Sequence, residues 1–343
     1  MSALYDARVT VLIVIGVALA AIGAGRLARA IGQPAMIGYV AAGVVAAFVA
    51  PRGAAFDAAV RVSSLLGEIG VLALMFASGA EIDARELRLR VQRNVPLMIA
   101  VIGTPFACGL LLAPRFPQLR GAQATPAAFA VFLATCLAVT AFPVLMEILR
   151  DWRLLATPIG TAAAGVAAVN DVVAWLLLAF VAFWSAAATP PLLVTAVFAA
   201  FFLGMVVRRG NVGRLRALFL PLFFAAVGMH VASVRGELAV AAIFIAVAVA
   251  AKLVPATLVS RLRGESWRTS LALGALLNAR GAMELIAAKL GLELGLLSPA
   301  GFSALVSVAV ATTIITGPLL RVVYSPSLGS TTAAAVSSSD AAA

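Results

Sequence analysis

Long apolar stretches, each closed by a short polar segment, repeat along the chain to about residue 324. Eleven of them approach the length a helix needs to cross a hydrocarbon layer of about 30 Å. They fall near residues 10–28, 36–51, 64–80, 95–114, 126–149, 157–184, 191–207, 217–233, 238–260, 269–288 and 299–322. The second, seventh and eighth are short, and Pro221 is expected to start or kink the eighth. The pattern predicts an all-α polytopic membrane protein of about 11 transmembrane helices.

Composition strengthens this reading. The 343 residues are 63% apolar, with a mean hydropathy of +1.10. A soluble domain of this length does not have such values. The formal net charge of +11 would fit a nucleic-acid partner, but the arginines sit in short segments between apolar runs. With no aromatic interleaving and no basic soluble domain, no nucleic acid is expected.

The distribution of the basic residues instead sets an orientation. Loops after the first, third, fifth, seventh and ninth spans, with the C-terminal end, hold Arg26, Arg29, Arg85, Arg88, Arg90, Arg93, Arg150, Arg153, Arg208, Arg209, Arg214, Arg216, Arg261, Arg263, Arg268 and Arg321. The other side holds Arg8, Arg52, Arg61, Arg115, Arg120, Arg235 and Lys289. The excess places the N-terminus outside and the C-terminus in the cytoplasm, in the cell inner (plasma) membrane. The N-terminus lacks the basic region of a signal peptide, so the first apolar run is expected to be a retained helix. The tail 325–343, made of Ser, Thr and Ala with few large apolar residues, is expected to be disordered and cytoplasmic, with no soluble regulatory domain after the membrane part. Cys108 and Cys136 lie in apolar runs and read as small apolar residues.

Within the spans, a few charges stand out. Asp171, preceded by Asn170, interrupts GVAAVNDVVAWLLLAF. An ionised carboxylate at the centre of a membrane helix costs roughly 2.5–3.5 kcal/mol on insertion scales, which argues that it has a task. Lys252 has no acid within a helical turn, so it must pair across helices, snorkel or be neutral. Arg280 and Glu284 are four apart and can meet on one helix face. Glu68 stands near the expected start of its span and reads as structural. His230, near the end of the eighth span, reads as interfacial.

Two spans carry helix-breaking residues. In LAVTAFPVLMEIL, Pro143 cannot donate to the helix ladder and disfavours helical geometry at Phe142. In ALGALLNARGAMELI, Asn278 and Gly281 flank Arg280. Irregular backbone at membrane depth survives only where protein or water satisfies its polar groups. Freed carbonyls and the Thr140 hydroxyl are good cation ligands, and half-helix ends supply complementary dipoles. With the first span as an extra helix, residues 36–184 form one expected inverted repeat and 191–322 the other. Each then has its break in its fourth helix.

At these residues the chain resembles the second monovalent cation:proton antiporter family, the membrane domain of sodium/proton or potassium/proton exchangers. The resemblance runs along nearly the whole chain. It is carried by LARAIGQPAMIGYVAAGV, LLGEIGVLALMFASGAEID, TAFPVLMEILRDWRLLATPIG, VNDVVAW, LPLFFAAVGMHV, the Lys252 helix, SWRTSLALGALLNARGAMELI and LGLLSPAGFSALVSVAVATTIITGPLL. The resemblance implies a transporter rather than an enzyme, with no cofactor. It also implies a core with two crossed broken helices, a separate dimerisation domain, and exchange of Na+ or K+ for H+ by elevator-like alternating access in a lipid-embedded homodimer. On this sequence, Asp171 matches the essential carboxylate and Asn170 the other position of the two-residue motif. Thr140 falls in the first broken helix, and Lys252 matches the basic residue beside the site. These make Asp171, Asn170 and Thr140 the expected ligands of the monovalent cation or proton, with Lys252, Arg280 and Glu284 as supporting charges.

Two departures accompany the match. Family members usually carry two further helices between the carboxylate helix and the segment resembling FAAFFLGMVVRR, where this chain has only SAAATPP and the start of the seventh span. Losing two helices preserves the orientation of everything downstream. Asn170 stands where electrogenic relatives carry a second aspartate thought to pair with the lysine, which leaves Lys252 to pair with Asp171 or Glu284. With one carboxylate, electroneutral exchange of one cation for one proton is expected. The alternatives are a transporter or channel of the same fold for another solute, and a non-transporting paralogue. Sodium and potassium both remain candidates, because selectivity depends on fine ligand geometry.

Overall fold

The computed structural model describes residues 2–50, 53–80, 94–185, 192–207, 212–231 and 238–323, with backbone alone for 2–6 and 238. The tail 325–343, the segment 186–191, and Arg52, Arg85, Arg88, Arg90, Arg93, Arg208, Arg209 and Arg235 lie outside the described residues.

In chain order the helices are α1 (Ser2–Ala30), α2 (Ala35–Val49), α3 (Ala54–Ala80), α4 (Asn94–Arg115), α5 (Pro126–Ala138), α6 (Phe142–Asp151), α7 (Pro158–Ser185), α8 (Leu192–Val207), α9 (Gly213–Val231), α10 (Leu238–Leu262), α11 (Trp267–Leu277), α12 (Ala282–Glu293) and α13 (Pro299–Val323). Among the described residues, nine helical segments are long and apolar enough to cross a membrane, counting α5–α6 and α11–α12 as one crossing each. With the shorter apolar helices α2 and α8, the apolar helical segments among the described residues number the expected eleven.

Two local expectations change. The third helix begins at Ala54 rather than near residue 64. The amphipathic stretch AFDAAVRVSS continues the helix past the apolar run, so Glu68 lies in mid-helix. The eighth crossing begins at Gly213, which places Pro221 inside α9 rather than at its start. In α4, a π-helical turn at Ile99–Gly103 precedes Pro105. Pro105 has no N–H to give the preceding turn, and the wider turn absorbs that gap.

Contacts between loops fit an alternating path. Arg263, after α10, donates to the Asn94 side chain at the start of α4 (3.0 Å). The loops after α4 and α12 join through Gly121 N–H to Leu296 O (3.0 Å) and Ser298 N–H to Leu119 O (2.9 Å). Gln33, after α1, donates to Ile314 O in α13 (3.4 Å). Each pair joins segments that an eleven-crossing chain brings to one side.

The helices pack as two groups. One contains α1, α2, α3, α8 and α9; the other contains α4–α7 and α10–α13. Between the groups, packing is sparser and runs chiefly through α9 against α12 and α13, and α7 against α8. In the first group, glycines set the helix spacing. A Cβ on Gly79 would strike Phe201 O, and one on Gly204 would strike Phe76 O, so α3 and α8 touch backbone to backbone. Gly43 and Gly228 do the same for α2 and α9. Such close approach replaces the hydrophobic drive that lipid removes. The outer face of α1 presents Leu12, Ile15, Leu19 and Leu27, suited to acyl chains rather than water. The second group encloses the polar residues of the broken helices.

Candidate functional site

The first break separates α5 from α6 at Val139–Ala141. A helix end leaves its last carbonyls without partners and carries a partial negative charge. Here side chains from three other elements cover those carbonyls. Arg280 Nη1 donates to Cys136 O (3.0 Å), and Nη2 donates to Leu137 O. Asn170 Nδ2 donates to Ala138 O (2.8 Å), and Lys252 Nζ to Val139 O (2.5 Å). Two cations and an amide thus cap the negative end of α5.

The second half-helix starts at Phe142, with Pro143 in its first turn, where a missing N–H costs nothing. Asp171, from the middle of α7, accepts a long hydrogen bond from Phe142 N–H (3.4 Å) at this positive helix end. Its neighbour Asn170 accepts from Thr140 N–H (3.3 Å). The Thr140 hydroxyl joins four elements. It accepts from Lys252 Nζ (2.5 Å) and Asn170 Nδ2 (3.3 Å), and donates to Leu277 O on α11 (3.2 Å).

The second break runs from Asn278 to Gly281. Gly281 has φ +149°, a conformation that side chains disfavour. A Cβ there would also press on Met36 Sδ (2.7 Å) and Val144 Cγ2 (3.0 Å). Arg280 and Glu284 form a fully buried ion pair (3.2 Å), with Glu284 in the first turn of α12, where the dipole favours an acid. Thr313 of α13 donates to Arg280 O (2.9 Å). The breaks cross through two bonds on either side of Asn278: Thr140 Oγ1–H to Leu277 O, and Ala141 N–H to Ala279 O (3.1 Å). Asp171, Asn170, Thr140, Lys252, Asn278, Arg280 and Glu284 are all buried.

A helical membrane chain with crossed broken helices around the buried carboxylate of Asp171, outside the Arg280–Glu284 ion pair, narrows the possibilities, and comparison with known proteins decides the family. The family model described as sodium/hydrogen exchanger, transmembrane, matches residues 15–207 and 180–325. The chain belongs to the sodium/hydrogen exchanger family. Among its relatives in this family, "Cation/H(+) antiporter 17" of Arabidopsis thaliana is 29% identical over 336 residues, covering 76% of this chain and 41% of that protein. "K(+)/H(+) antiporter 1" of Saccharomyces cerevisiae is 26% identical over 342 residues, covering 76% of the chain and 39% of the relative. "Na(+)/H(+) antiporter NhaS4" of Synechocystis is 29% identical over 336 residues, covering 76% and 82%. The chain thus spans less than half the length of the plant and yeast relatives. The two family matches overlap at residues 180–207, the stretch where the sequence leads one to expect two helices fewer.

The broken-helix geometry brings together every residue singled out for the exchanger site. Lys252 differs in its partners: it forms an ion pair with neither Asp171 nor Glu284. Its ammonium goes to Val139 O and Thr140 Oγ1, because Glu284 is held by Arg280 and the open carbonyl end of α5 lies within reach. Glu68 stays apart from this cluster, within electrostatic reach of Lys289 and Glu293. His230 is half-buried, its Nδ1 2.9 Å from Ala226 O and its ring edge-on to Phe302. Both cysteines are free thiols.

Sequence reasoning missed Thr313 and Met36, which brace the second break from α13 and α2. The polar pair Thr312–Thr313 in an apolar run was a readable signal for the first. Nothing marked Met36. A cleft lined by Gln33, Glu147, Asp151, Trp152 and Thr313 also opens beside the second break, assembled from three elements distant in sequence.

Proposed function

We propose that the protein is a secondary antiporter that exchanges a monovalent cation, Na+ or K+, for H+ across the membrane. The observation that carries this reading is the burial of Asp171 at the crossing of two broken helices, among a hydroxyl, an amide and freed backbone groups. Relatives named as Na+/H+ and K+/H+ antiporters support the same ion class. Asp171 binds either a proton or the cation, never both. Asn170, Thr140 and backbone carbonyls replace part of the cation's hydration, as carbonyl ligands do in ion pathways.

Either loaded form of Asp171 is neutral and crosses, whereas the bare carboxylate is costly to carry through the barrier. One carboxylate therefore exchanges one cation for one proton, electroneutrally. Lys252 and Arg280 hold the carbonyl end of α5 and keep the first break open, and Glu284 neutralises Arg280. We place the N-terminus outside and the C-terminus in the cytoplasm of the inner (plasma) membrane, with the cleft at Gln33, Glu147 and Asp151 as the cytoplasmic approach. The group of α4–α7 and α10–α13 moves against the other group in alternating access, within a homodimer. Residues 36–184 and 191–322 form the two inverted repeats.

The double coverage of residues 180–207 by the two family matches favours one rival, a paralogue that kept the site but lost the stroke. Both are tested by imposing a pH gradient on proteoliposomes and adding Na+, then K+, to wild type and Asp171→Asn. Dissipation by wild type and its loss in the mutant is the expected result. Silence from folded wild type favours the rival, and exchange that survives Asp171→Asn removes Asp171 from the mechanism.

A further inference from the structure

Asn278 ends α11 at the crossing itself, with its N–H bonded back to Gly274 O (3.1 Å). The residues before and after it are each pinned to the first break, through Leu277 O and Ala279 O. Its side chain is fully buried, yet neither Nδ2 nor Oδ1 has a hydrogen-bond partner. Among the described residues it is the member of the two breaks whose entire polar side chain is left without a partner. A buried amide in this condition is costly, and an alanine would avoid the cost.

The usual conformational reason for asparagine at a helix end does not apply. That reason is the left-handed cap, whereas Asn278 has φ −80° and ψ −8°. The left-handed requirement falls three residues later, on Gly281. Neither the backbone conformation nor a hydrogen bond to another protein group accounts for the amide, so its partner is sought outside the protein's own polar groups.

We propose that this partner is the transported cation: Asn278 Oδ1 coordinates the partly dehydrated monovalent cation held at Asp171, directly or through one retained water. The second broken helix then contributes to ion selectivity. The inference rests on the reading of Asp171 as the shared cation and proton site. A carboxamide oxygen is a neutral cation ligand of the same kind as a backbone carbonyl, and its dipole shares the positive charge without adding a competing proton site. The proton at Asp171 has no need of it, so Asn278 acts on the cation half of the exchange alone.

The test is the dependence of exchange on Na+ and on K+ in proteoliposomes for wild type, Asn278→Leu, Asn278→Ala and Asn278→Ser, with Asp171→Asn alongside. Asn278→Leu should raise the half-saturating cation concentration by about tenfold, the loss of one modest ligand. The rise should be unequal for the two ions and larger than any fall in maximal rate. Asn278→Ser, which keeps an oxygen, should lie between leucine and wild type. In purified protein, the protection against thermal unfolding given by NaCl or KCl over choline chloride should shrink in the same order.

Unchanged half-saturation in the folded leucine variant overturns the proposal, as does a serine variant no better than leucine. If the leucine variant does not fold, unchanged half-saturation in Asn278→Ala overturns it equally. Failure of the underlying reading looks different: wild type is then silent, or Asp171→Asn still exchanges.

Discussion

The two broken helices solve one electrostatic problem in different ways. At the first, the exposed carbonyls from Cys136 to Val139 are covered from outside, by Arg280, Asn170 and Lys252 reaching in from α7, α10 and the opposite break. At the second, Arg280 and Glu284 form a pair within their own turn, while Asn278, Arg280 Nε and Glu284 Oε2 have no hydrogen-bond partners. The first break is thus defined by contacts with its neighbours. The second pairs its own charges, is braced through its backbone by Thr140, Ala141 and Thr313, and retains polar side-chain groups that can engage a ligand. On the proposed reading, a site that releases its ion would benefit from this division, with one wall fixed and the other less committed.

The largest expected effect that sharpens this contrast comes from Arg280→Met. It strands Glu284 as a buried carboxylate and uncaps Cys136 and Leu137, so it should destabilise by about 3–5 kcal/mol, read as a lowered melting temperature in detergent. Adding Glu284→Leu should recover part of the loss, since removing both partners of a buried pair is far milder than removing one. No recovery would mean that the capping of α5, rather than the ion pair, is what Arg280 provides.

Lys252→Met should cost less, under about 2 kcal/mol, because it removes two hydrogen bonds without stranding an ion-paired carboxylate. A loss equal to that of Arg280→Met would show that Lys252 is paired after all, and the contrast between the breaks would fail. The smallest change is Thr140→Val, which deletes the hydroxyl between Lys252 and Leu277. It should cost about 1 kcal/mol and speed hydrogen exchange at the Ala141 amide, which bridges the breaks. Unchanged protection there would mean that Ala279 O alone holds the crossing.

Particular residues show how much was legible in the sequence. The apolar runs marked each apolar helical segment among the described residues, because lipid demands apolar length whatever the helix packs against. Asp171 was conspicuous because a carboxylate there is costly, and Arg280 with Glu284 was readable from spacing four. Pro143, Asn278 and Gly281 located both breaks to within a few residues. The start of α3 was missed because its first turns are amphipathic, and apolar length alone does not register such turns. The partners of Lys252 were missed because they are backbone carbonyls and a hydroxyl more than a hundred residues away.

The sequence by itself determined the class, the apolar helical segments, the residues that break helices and the charges that lipid would otherwise reject. Each of these follows from local chemistry: apolar length, proline and glycine geometry, and the cost of burying charge. Only the tertiary structure decided that Lys252 and Arg280 cap the end of α5, that Thr140 ties both breaks together, and that the Asn278 side chain has no partner. Those outcomes depend on which helix ends are brought within about 3 Å of which side chains. That proximity is fixed by the crossing of distant segments and has no local signature in the chain.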